Sequence, residues 1–241
     1  MPELDNIKDL LHRRSDLSTF VHHFTRGTPA DCEASILNML ATRTLNARTP
    51  YGMATHLDGL TYLTPATQRT VCFTDTPIEH SWMMVRDIAG RSWDFQPYGI
   101  VFSKEYARTK GCHPVWYVDA FGPPPSMAST VWQLIENYRL AFMATPAAYP
   151  LETLDVLRMA PFMEPRMNGK DFVWEREWRH RGDFNFESPA NVVAVFAPEV
   201  NHFLLRPKIN ALGPEWGQRD VPILDPRWGT DKIIHALSKG T

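Results

Sequence analysis

The sequence predicts an α+β fold: a mixed, mainly antiparallel sheet flanked by short helices. Three observations carry this. Apolar runs of strand length are mixed with amphipathic helical stretches, without strict strand–helix–strand alternation. The 20 prolines among 241 residues predict many short elements joined by stiff loops. No internal repeat, low-complexity tract or interdomain linker stands out. One domain is therefore expected over 1–241, with an N-terminal helix over 1–16 and a core over 15–205.

Leu4, Ile7, Leu10 and Leu11 have helical spacing. Leu17 to Thr25 reads as a strand with Phe20, His22 and Phe24 on one face and Val21, His23 and Thr25 on the other. Thr28-Pro29-Ala30-Asp31 supplies a capping hydroxyl, a proline at the first helical position and an acid in the first turn. The helix it starts carries Cys32, Ile36, Met39 and Leu40 inward. Arg48 to Thr70 is rich in Thr, Gly and Pro and reads as a long irregular segment.

Val71-Cys72-Phe73-Thr74 is a short buried strand leading into Thr76-Pro77-Ile78-Glu79, which reads as a capping box for a helix bearing Trp82, Met83 and Ile88 and closing near Gly90. Tyr98 to Phe102 is a strand, Ser103 caps a short helix that stops at Gly111, and Pro114 to Val118 is a further strand. Ser126 starts a helix bearing Val131, Leu134, Ile135, Tyr138 and Phe142. Thr145 to Lys170 is proline-rich and irregular, with one short helix around Leu151 to Leu157. Asp171 to Arg179, Asn191 to Phe196 and His202 to Leu205 read as strands, and Asp231 to Leu237 as a closing helix.

Composition narrows the function. A formal charge of -2 gives no global basic footprint, so coating of nucleic acid is not expected, although Arg13, Arg14 and the cluster from Arg176 to Arg181 allow a local basic groove. Cys32, Cys72 and Cys112 are too few and too dispersed for a disulfide framework or a zinc pattern, which fits a reducing cytoplasm. The first residues lack the apolar core of a signal peptide, and no apolar run reaches membrane-spanning length.

The segment Asp171-Phe172-Val173-Trp174-Glu175-Arg176-Glu177-Trp178-Arg179 stands out. If extended, it places Glu175 and Glu177 on one face and Trp174, Arg176 and Trp178 on the other. Either the glutamates pair with Arg176, Arg179 or Arg181 on a solvated strand, or they bind or activate a ligand. Trp174, Trp178, Trp116, Tyr117 and Trp82 could stack a base or could be core. No clustered His, Asp and Glu motif points to a metal, and no Gly-rich phosphate loop is present. Cys112 beside His113 is the one plausible exposed thiol pair.

Several segments resemble the AbiGi family of abortive-phage-infection proteins, described as the antitoxin-like half of a two-gene system. They are His23-Phe24-Thr25-Arg26, Val71 to Pro77, Tyr98 to Glu105, Gly111 to Val118, and Glu175-Arg176-Glu177-Trp178-Arg179. They span roughly His23 to Arg181, and a broad uncharacterised bacterial family shares the same E-x-E-W-R ending. A second, weaker resemblance is to ADP-ribosyltransferases, which carry a first-strand Arg or His, a middle aromatic-Ser/Thr motif and a late E-x-E, in that order. This resemblance implies a transferase-like core that binds NAD. His23, Thr25, Phe73 and Thr74 would hold the cofactor, Glu177 would stabilise the oxocarbenium-like transition state, and Glu175 would activate the acceptor. The departures are a Thr-Asp-Thr middle motif, which also reads as a helix cap, and adjacent histidines, of which at most one can face a pocket.

The expectation is thus a phage-defence protein of toxin–antitoxin type, an NAD-dependent ADP-ribosyltransferase acting on nucleic acid or protein. The alternative is a non-enzymatic, antitoxin-like partner that binds a cognate toxin. A nuclease or RNA-binding component is a third reading. No metal and no membrane partner are expected, and the oligomeric state stays open.

Overall fold

Alternation along Phe20–Arg26 buries residues from both faces of one strand, and the structure is built outward from it. The computed structural model describes residues 16–56, 68–89, 94–145, 155–167 and 172–238. The helix expected around Leu4 to Leu11 lies outside them, as does Gly90. The fold is α+β with a mainly antiparallel sheet. By its internal contacts the chain groups into two compact units, each assembled from separate stretches. One contains residues up to Thr44, Phe73–Thr109 and the chain from Asn185 on; the other contains Leu45–Cys72 and Lys110–Phe184.

In the first unit, Phe20–Arg26 pairs antiparallel with Phe95–Ser103, which pairs antiparallel with Val192–Phe196; Ile223–Leu224 adds a parallel edge. On the other side of Phe20–Arg26, His22 pairs with Thr74. Gly99 sits opposite Phe24 because a Cβ there would lie 2.4 Å from the His23 carbonyl oxygen. The helix Pro29–Thr42 starts where its cap demands: the Thr28 hydroxyl accepts from the Asp31 amide, and Pro29 opens the first turn. It buries Cys32, Ile36 and Leu40, with Met39 only half-covered. The core on the opposite face joins Phe24, Val101, Ala194, Phe196, Leu224 and Ile233, the last from the closing helix Thr230–Ser238.

In the second unit, Thr49–Pro50 pairs with the beginning of Arg69–Thr74, and Glu177–Arg181 lies next in the strand order, paired to His113–Pro114. Trp116–Asp119 pairs in parallel with Met163–Arg166, a strand that the proline-rich reading of 145–170 does not anticipate. The helix Met127–Ala144, capped by Ser126, packs Val131 and Ile135 onto Met53, Val118, Val156 and Leu157. Gly52 is required here, with φ 97° and the Ala160 carbonyl 2.0 Å from where a Cβ would sit.

Four local expectations are corrected. Ile78–Met83 is a 3-10 helix with no side-chain cap, because the Thr76 hydroxyl pairs with Thr74 at 2.8 Å instead. The Pro114 to Val118 strand is two short strands in different sheets. His202–Asn210, expected to begin as a strand, is a helix, since Leu205 and Ile209 are four apart on one face. The glutamate segment is not extended throughout: Val173–Glu175 is a 3-10 turn, Arg176 takes a left-handed φ of 50°, and the strand begins at Glu177.

Candidate functional site

The residues expected to hold a cofactor lie in the first unit, on two faces of its sheet. Directly opposed residues of antiparallel strands share a face, and faces alternate along each strand. The His22–Thr74 pairing therefore puts Thr74 with His22, and His23 with Phe73. The His23 ring meets Phe73 edge-on at 5.8 Å. The Thr25 hydroxyl donates to the Tyr98 carbonyl at 3.0 Å, and Thr74 is buried against Thr76. His23 and Thr74 thus do not form one ligand-facing pair, because their separation along the two strands has the wrong parity.

The other face holds a buried polar cluster. His22 is fully buried, edge-on to the stacked rings of Phe24 and Phe196, with its Nδ1 3.2 Å from the Ser81 hydroxyl. Its Nε2 has no hydrogen-bond partner among the described residues. Loss of hydration holds the imidazole down to about 3, with Lys104 adding to that and Asp75 opposing it. Lys104 donates to Asp75 at 2.9 Å, both side chains being at least nine-tenths buried.

Glu175 and Glu177 lie in the second unit. The left-handed turn at Arg176 breaks the alternation that would have made them a matched pair on one face. Both oxygens of Glu177 are held by Arg179, from Nε to Oε1 and from Nη2 to Oε2, each at 2.9 Å. The Tyr117 hydroxyl donates to the same carboxylate at 3.3 Å. Arg179 is 2% exposed, and its remaining donors reach the Pro161 carbonyl at 2.7 Å and Glu164 at 2.9 Å, while its plane stacks over Tyr51 at 4.9 Å. Burial and the negative charges of Glu177 and Glu175 push the Tyr117 phenol well above its ordinary range. Burial and Glu177 do the same to the Cys72 thiol. This is a densely bonded hub around a guanidinium, each of whose nitrogens donates. Trp178 beside it is core, whereas Trp174 is exposed.

The second unit also carries an open groove of about 920 Å³. Lys110, His113 and Trp116 line it from one stretch of chain, Arg158 and Phe162 from another, and Arg181 from the strand that holds Glu177. Trp116 is 63% exposed, and His113 meets Phe162 edge-on at 5.4 Å.

No protein-family model, curated protein or solved structure matches this chain.

What the site can do is therefore set by its own side chains. Among the described residues, no group of His, Cys, Asp and Glu is arranged to hold a metal ion, and no helix is long and apolar enough to cross a membrane. Cys112 is buried rather than exposed beside His113, and burial pushes its thiol up to about 12, so it is protonated and unreactive at neutral pH. The groove is what residue-by-residue reading missed. Its signals were the interleaved His113 and Trp116 and the basic end of the Glu177 strand, but Arg158 and Phe162 come from a segment read as irregular.

Proposed function

We propose that the chain is a non-catalytic binding protein, the antitoxin-like half of a two-gene phage-defence pair, which docks its partner through an exposed apolar face on the first unit. Val200, Phe203 and Leu204 are 84%, 86% and 61% exposed and spaced so that they lie together around the start of the helix His202–Asn210. That cluster is the observation that carries the reading. The same helix is anchored from beneath by Leu205 and Ile209, so its outward apolar residues are not needed for its own packing. Contiguous exposed apolar surface with a polar rim is characteristic of protein docking sites. Here Lys208–Glu33 and Arg206–Asp220 supply the rim. Burying three such side chains contributes about 1.5–3 kcal/mol each to association. The phage-defence role is supported by the resemblance of the His23, Val71, Tyr98, Gly111 and Glu175 segments to the AbiGi family.

The transferase alternative needs Glu177 to face the developing positive charge of a ribose. Arg179 already neutralises that carboxylate and occupies both of its oxygens. The experiment is twofold. The product of the adjoining gene is co-expressed with wild-type chain and with Phe203→Asp, scoring relief of its toxicity. In parallel, NAD consumption is measured for wild type and Glu177→Gln. Relief by wild type that Phe203→Asp abolishes, with no NAD turnover, is expected. Equal relief by both rejects the docking face, and turnover that Glu177→Gln removes restores the transferase reading.

A further inference from the structure

We infer that the groove of the second unit binds single-stranded nucleic acid, with bases stacked at Trp116 and phosphates held by Lys110, Arg158 and Arg181. This goes beyond the docking proposal, uses different residues and does not depend on it. Single-strand sites combine a cationic track for the backbone with an exposed aromatic platform for bases. The groove has both. Among the described residues, three permanent cations line it against one carboxylate, Asp155, whose pairing with Arg158 is loose at 3.9 Å and solvent-exposed. The guanidinium of Arg181 makes no ion pair with any described residue. Trp116 is 63% exposed although it stands on a strand, so its ring is presented rather than buried. Phe162 and Met163 continue the apolar floor. A volume of about 920 Å³ is at the upper end for a small-molecule pocket, and the groove is open, which suits a strand passing through it.

The chemistry also sets what the groove rejects. In a duplex the base faces are stacked on one another and unavailable to Trp116. An acidic peptide could satisfy the cations but gives no planar ring to the indole unless it carries an aromatic of its own. The overall charge of -2 means that affinity comes from this groove and not from a general basic surface.

The test uses the whole chain and a fluorescein-labelled, mixed-sequence single strand, followed by anisotropy at increasing KCl. With about three phosphates contacted, log K is expected to fall with log[KCl] with a slope of about -2. Trp116→Ala is expected to weaken binding about tenfold with the salt slope unchanged. Arg158→Ala and Arg181→Ala should each lower the slope by about 0.7. Unlabelled duplex of the same sequence should compete poorly, and a nucleoside monophosphate more poorly still. Circular dichroism of each variant shows whether it is folded. Phe203→Asp serves as a further control: it should leave strand binding intact, which separates failure of this site from failure of the docking face. Absence of binding at low salt, equal competition by duplex or monophosphate, or unchanged affinity in folded Trp116→Ala overturns the proposal. Preference for an acidic peptide over the strand also overturns it and makes the groove a protein site.

Discussion

Each unit buries charge, but the two do so in opposite ways. Around Arg179, each nitrogen of a buried guanidinium donates to an acceptor, and two of those acceptors are the carboxylates of Glu177 and Glu164. Around His22, a buried imidazole sits beside the Lys104–Asp75 pair yet stays neutral, with one nitrogen lacking a partner among the described residues. A buried ion survives when its hydrogen-bonding capacity is filled; a buried titratable group without that environment gives up its charge instead. The first arrangement fails when one member is removed. The second tolerates loss of its titration but is sensitive to acid.

The largest effect should come from removing the centre of the satisfied hub. Arg179→Met leaves Glu177 and Glu164 partly buried without their cation, and a cost of about 3–5 kcal/mol is expected in denaturant unfolding. Pairing it with Glu177→Gln should recover part of that loss. If Arg179→Met alone costs under about 1 kcal/mol, the hub is not a cooperative unit and the contrast fails.

Lys104→Met should cost somewhat less, about 3 kcal/mol, by taking the ammonium away from Asp75 in a site where its side chain is only 10% exposed. The same variant removes a positive charge that holds His22 neutral, so the imidazole should become easier to protonate. A histidine NMR titration of Lys104→Met that shows no upward movement of His22 would separate the two groups.

Acid should act chiefly on the first unit. With His22 at about 3 in the folded protein and 6.5 when exposed, the unfolded chain binds the extra proton between those values. Stability from this group is full above pH 6.5 and is lost as pH falls toward 3, by about 1.4 kcal/mol per pH unit. His22→Gln keeps a hydrogen-bonding side chain at Ser81 but cannot titrate. The wild-type minus variant difference in unfolding free energy should therefore slope with pH between 6.5 and 4.5; a flat difference would place the acid sensitivity elsewhere.

These contrasts also mark what could be read from the chain. The Thr28 cap, Pro29 start and Ser126 cap are short-range hydrogen bonds, and the helices begin where they say. Opposite faces for His22 and His23 followed from strand period alone. The face of Thr74 did not, because it depends on register with a strand about fifty residues away, and one residue of slip would have reversed it. The left-handed Arg176 carries no local signal, since φ near 50° is expected of glycine or asparagine rather than arginine, and it alone broke the expected pairing of Glu175 with Glu177. The Arg179–Glu177 bond, by contrast, joins residues two apart on a strand and was among the partners the spacing allowed. The groove stayed hidden because it gathers residues from three separate stretches of the chain.

The smallest stability effect is expected at Trp116, and it sharpens the comparison between buried and presented chemistry. An exposed tryptophan on a strand is expensive to keep in water, yet its ring adds little to packing when 63% of the residue is open. Trp116→Ala should therefore change unfolding free energy by no more than about 0.5 kcal/mol. Trp178, 4% exposed on a strand of the same unit, should cost about 3–5 kcal/mol on the same substitution. If Trp116→Ala instead destabilises the protein by several kcal/mol, the indole is part of the fold's packing and not a platform offered to a ligand. If it is neutral to stability while strand binding drops tenfold, the exposed ring has a role that packing does not supply.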